Sequence, residues 1–182
     1  MRIFISWSRE RSHKVASALE MWIPKVIQAT KPWLSSANID AGVRWGPELT
    51  NALDDVNFGI LCLTPDNTDE AWLLFEAGAL SKVVLHSRVV PYLIGFESRE
   101  LRGPLSQFQN VQADAVGTFQ LLESINETLD ERRVSADVLA ESFKMWWPSF
   151  EAELDAALRM SPVTNPVHAE LWRICLAKYW IS

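Results

Sequence analysis

Trp72 and Glu76 stand four residues apart in AWLLFEAGAL, residues 71–80. On a helix that spacing stacks an indole and a carboxylate one turn apart on one face, with Leu80 continuing the line. Leu73, Leu74, Phe75, Ala77, Ala79 and Val83 leave the segment no polar side, so the pattern predicts a largely buried helix running to about Val84. Burying an unpaired charge costs on the order of several kcal/mol even after relaxation. Glu76 must therefore be ion-paired, be protonated, or face a polar cleft. A structural ion pair is the bland reading. A cleft is the reading in which the carboxylate can meet a substrate.

The elements that would position this pair follow from hydrophobic pattern. RIFIS at 2–6, FGILCLT at 58–64 and RVVPYLI at 88–94 have the length and the β-branched or aromatic content of buried strands. Longer helix-like stretches separate them. RSHKVASALEMWIPKVI keeps Val15, Leu19, Trp22 and Ile23 at helical spacing, and a weaker strand candidate lies near PWLSSANI. AGVRWGPELTNALDDV reads as a loop that turns helical around Pro47, a residue tolerated at a first helical position. This alternation implies an α/β layered domain with a mainly parallel sheet. In such sheets ligands bind beyond the carboxyl ends of the strands, where the Glu76 helix would begin.

After the fourth strand, GFESRELRGPLSQFQNVQAD reads as a loop with a short helix and a short edge strand, and FQLLESINETLDERR as an amphipathic helix. The core is expected to span residues 1–133, with residues 134–182 as a helical extension packed on or beside it. Pro148 should kink or split the first helix of that extension.

Composition narrows the function classes. The 182 residues carry a net charge of −6 and scattered basic residues, which supply no continuous cationic surface for nucleic acid or anionic lipid. Cys62 and Cys175 lie far apart, so neither a disulfide framework nor a metal cluster is expected. His13, His86 and His168 lack metal-ligand spacing. No apolar run has the length of a membrane span, and a reducing cytoplasm fits the cysteine usage. The absence of G-x-G-x-x-G and of a Walker-type loop disfavours a dehydrogenase or a P-loop NTPase.

Taken in order, FISWS, IDAGVRWGPELTNAL, GILCLTPDN and AWLLFEAGALSK resemble a bacterial Toll/interleukin-1 receptor (TIR) domain over roughly residues 1–133. The Trp72-x-x-x-Glu76 pair is the most specific piece, supported by the spacing of Gly42 and Trp45. The resemblance implies a flavodoxin-like fold, a five-stranded, mainly parallel sheet flanked by helices. It also implies a catalytic glutamate, here Glu76, that cleaves NAD⁺ between nicotinamide and ribose, with NAD⁺ as substrate and no cofactor or metal.

That chemistry suits the residue types. Nicotinamide leaves as a neutral molecule from a cationic ring, so no general acid is needed. One carboxylate can stabilise an oxocarbenium-like ribose by hydrogen-bonding its hydroxyls. Trp72 could wall a pyridinium ring, or could be a core indole. By the same resemblance, Ser8, Trp7 and Arg9 in the turn after the first strand would meet ribose or phosphate, a base and the diphosphate respectively. Capping of the next helix is the other reading of Ser8. This chain carries Trp7 where the family's turn often carries His, Tyr or Arg.

Asp40, Gly42 and Trp45 correspond to the family's assembly loop, where neighbouring domains meet; Trp45 could instead seat the following helix. The expected role is NAD⁺ glycohydrolysis in antiphage defence, giving ADP-ribose or a cyclic product. Self-association would activate it, and a partner protein of a defence system could act with it. A non-catalytic scaffold for TIR–TIR assembly is the alternative.

Overall fold

The structure, a computed structural model, describes residues 1–34, 56–68 and 88–160. Within them, β1 (Arg2–Ser6), β2 (Lys31–Leu34), β3 (Phe58–Leu63), β4 (Arg88–Leu93) and β5 (Val111–Gln112) form a five-stranded sheet in the order β2-β1-β3-β4-β5. Every pairing is parallel. The flavodoxin-like α/β architecture expected from the sequence is therefore present.

Side-chain alternation along the strands explains why they sit where they do. β3 is buried along its whole length, as a central parallel strand covered on both faces must be. Ile3, Ile5, Phe58, Ile60, Cys62, Val90 and Tyr92 point into one apolar cluster. Phe4, Leu61, Leu63, Val89 and Leu93 point into a second, which also contains Val56, Phe96, Leu101 and Leu105. The period of two thus builds two cores from one sheet.

Helices cover the first face. α1 (Glu10–Val26) buries Val15, Leu19, Trp22, Ile23 and Val26, the stripe expected from the sequence. α2 (Ala115–Glu127) starts where the Asp114 carboxylate accepts from the Gly117 N–H at 2.7 Å. Gly117 also lets α2 approach the sheet edge, because a Cβ there would lie 2.2 Å from the Gln112 carbonyl oxygen. The buried Tyr92 hydroxyl and Thr118 Oγ1, 2.6 Å apart, fasten α2 to β4.

α3 (Ala136–Leu158) runs through Pro148 as one helix, so of the kink or split expected there the split does not occur. Pro148 removes one helical N–H, at a cost of about 3 kcal/mol or more, but packing offsets the loss. Phe150, Leu154 and Ala157 are buried in the same cluster as α1, and the Trp22 indole N–H donates to the Trp146 carbonyl at 2.8 Å. Arg11 at the start of α1 donates to the Met160 carbonyl just beyond α3. Residues 136–158 therefore share the core of the sheet instead of making one of their own. Among the described residues no helix is long and apolar enough to cross a membrane.

Candidate functional site

The chain leaves β1 for β2 on one side of the sheet and leaves β3 for β4 on the other. Strand order therefore reverses between β1 and β3, and the crevice beyond their carboxyl ends is where open α/β sheets bind ligands. Ser6, Trp7 and Ser8 line that crevice from β1, and Leu61, Cys62, Leu63 and Asn67 from β3. The register explains the meeting, since Ser6 lies opposite Leu61. β3 runs on two residues beyond that level, to Leu63, before its turn begins.

A buried polar node joins these two turns. Asn67 is 1% exposed and Ser12 0%. The Asn67 carboxamide oxygen accepts from the Thr64 N–H at 2.7 Å. Its nitrogen lies 2.9 Å from the Ser8 carbonyl, 3.1 Å from Ser12 Oγ and 3.1 Å from the Cys62 carbonyl. Ser12 Oγ in turn accepts from the Ser8 N–H at 3.1 Å and donates to the Ser8 carbonyl. Both ends of the carboxamide are engaged, as a buried amide requires.

The residue after Ser8 carries backbone strain. Arg9 has φ 68° and ψ 161°, a region that residues with a Cβ rarely occupy and that costs on the order of 1–3 kcal/mol. Its guanidinium faces the Asp66 carboxylate at 3.8 Å. Nearby, Asp66 Oδ1 and the hydroxyl of the fully buried Thr64 have no hydrogen-bond partner among the described residues. The two buried oxygens lie beneath the turn, close to the carboxyl end of β3, and only the partly exposed Arg9 guanidinium is presented outward.

Three residues singled out from the sequence are brought together here. Trp7 lines the crevice and packs against the exposed His13 in a tilted ring pair, with centroids 3.9 Å apart. Ser8 lines it too, and the reading of Ser8 as a helix cap is corrected: Arg9 occupies the cap position of α1 and no side chain caps it. Arg9 reaches across to the β3 turn. Glu76, Trp72, Asp40, Gly42 and Trp45 lie outside the described residues. In the sequence, TPDNTD offers Asn67 and Thr68 as alternative helix caps without deciding between them, Ser12 looks like one more polar helix residue, and Asp66 carries no signal of its own.

Size limits what this crevice is by itself. It leaves no room for a water molecule, whereas small-molecule pockets run about 300–1,000 Å³. The crevice lined by Trp7, Ser8 and Asn67 is therefore not a ligand pocket by itself. A groove of about 610 Å³ runs along α1 and α3, lined by Glu10, Lys14, Met21, Lys25 and Glu153 among others. No strand end contributes to it, so the switch point remains the better candidate.

Burial pushes the Cys62 thiol pKa up, so it stays protonated and is a poor nucleophile despite lining the crevice. Among the described residues no group of His, Cys, Asp and Glu could hold a metal ion. No family model matches the chain, and no curated protein matches it.

Proposed function

We propose that this protein is a TIR-type enzyme that cleaves NAD⁺ to nicotinamide and an ADP-ribose product, with Glu76 as the catalytic carboxylate. The observation that carries the reading is where the motif falls in the chain. β3 ends at Leu63, its turn is tied to the β1 turn by Asn67, and Thr68 is already helical. Trp72 and Glu76 follow Thr68 by four and eight residues. Read from sequence as one continuous helix, that segment carries both side chains on one face.

The described wall supports a nucleotide ligand in kind. Arg9, partly exposed beside Asp66, supplies a cation for a diphosphate, and Trp7 offers an aromatic edge. In the proposed reaction the bond between nicotinamide and the ribose carbon breaks, and its electron pair leaves with the neutral base. Glu76 stabilises the cationic sugar, and water or a group of the nucleotide itself closes on that carbon. The test is incubation of the full chain with NAD⁺, with products identified by mass spectrometry. Nicotinamide in equal amount to ADP-ribose or a cyclic isomer supports the reading, and unchanged NAD⁺ across assembling conditions removes it.

The scaffold reading is favoured by a different outcome. If Glu76 is locked in a buried ion pair, Glu76→Ala should cost roughly 3–5 kcal/mol of stability, with no nicotinamide release in either form.

A further inference from the structure

We infer that Asn67, acting through Ser12, is the positioning residue that holds the Ser8–Arg9 turn in its ligand-binding shape; this rests on the NAD⁺ reading above. Ser8 and Asn67 lie 59 positions apart in sequence, yet the Asn67 nitrogen meets the Ser8 carbonyl at 2.9 Å. The same carboxamide holds the β3 turn through the Thr64 N–H and the Cys62 carbonyl. One buried side chain therefore fixes the two turns that wall the crevice.

Strain gives this coupling a purpose. A backbone such as that of Arg9 persists only where its surroundings over-determine it, and here they do. Ser12 Oγ takes the Ser8 N–H and reaches the Ser8 carbonyl and the Arg9 carbonyl, the last at 3.2 Å. The Arg9 carbonyl also accepts the first helical bond of α1, from the His13 N–H at 3.0 Å. With Asn67 removed, the Ser8 carbonyl loses its partner across the crevice, and the turn can relax toward an ordinary backbone. Arg9 would then point elsewhere. A displaced binding turn weakens substrate capture, so the effect belongs in KM more than in kcat.

The experiment compares the wild-type full chain with Asn67→Ala and with Ser12→Ala, a milder change that keeps the Asn67 bonds to Thr64, Ser8 and Cys62. Amide hydrogen exchange is followed in residues 6–12 and 61–67, with α3 as internal reference, alongside the kinetics of nicotinamide release. The expected result is faster exchange in both turns of Asn67→Ala with α3 unchanged, faster exchange in residues 6–12 of Ser12→Ala, and a KM for NAD⁺ raised about tenfold or more with kcat nearly preserved. Unchanged exchange in residues 6–12 overturns the inference, as does loosened exchange with unaltered KM. A wild type that releases no nicotinamide, while Asn67→Ala still loosens both turns, defeats the NAD⁺ reading and supports the coupling. If Asn67→Ala fails to fold, Ser12→Ala decides the matter for the β1 turn by the same two readouts.

Discussion

The Trp22 ring stacks on that of Phe150, with centroids 4.7 Å apart and planes 26° from parallel. This pair joins α1 to α3 at the centre of an aromatic group that also holds Phe143 and Trp147. Trp22 is 3% exposed, and its N–H is satisfied by the Trp146 carbonyl. Trp22→Ala should therefore destabilise the fold by about 3–5 kcal/mol, read by chemical denaturation. A loss below about 1 kcal/mol, the size of a surface change, would mean that α3 is not part of the cooperative core.

Gly117 gives a second, steric prediction. A methyl group at this position would collide with the Gln112 backbone, a neighbour that cannot rotate away as a side chain can. Gly117→Ala should shift α2 from β5 and cost about 1–3 kcal/mol, although alanine is the better helix former. A neutral or stabilising result in thermal melting would show that the α2–β5 approach relaxes freely.

Alkaline pH should weaken the fold. Burial pushes both the Tyr92 phenol and the Cys62 thiol up. The folded protein therefore keeps protons that the unfolded chain releases near about 10 and 8.5 respectively. Stability from these groups is complete below the unfolded values and falls as pH rises above them. The melting temperature should drop from about pH 9 upward, and Cys62 should resist thiol reagents until the protein unfolds. Rapid labelling of native Cys62 at neutral pH would contradict the assignment.

Activity should depend on self-association. If neighbouring copies complete the site, as the family resemblance implies, specific activity should fall on dilution while light scattering reports loss of assembly. Constant specific activity at every dilution would place the whole site within one chain.

Much of the architecture is readable from pattern. RIFIS and the runs at 58–63 and 88–93 become strands because their apolar residues are continuous enough to be covered on both faces. The first helix is readable from Val15, Leu19, Trp22 and Ile23 at helical spacing. Pro148 misleads on splitting because propensity is local, whereas Phe150 and Leu154 are held by α1. Of the site, Ser8, Trp7 and Arg9 stand out through their place at a strand end. Asn67 and Ser12 do not stand out as a pair, because their contact depends on the β1–β3 register, which no periodicity reveals. The strain at Arg9 is equally hidden, since an arginine gives no sign of a positive φ.

Catalysis by Glu76 is tested most sharply by the rate of nicotinamide release from NAD⁺ by wild type and by Glu76→Gln, at the same concentration and with melting temperatures compared. Similar melting is expected, with a fall in rate of at least about 100-fold, the scale of losing a group that stabilises transition-state charge. Equal rates in the two proteins would leave Glu76 with no part in the chemistry.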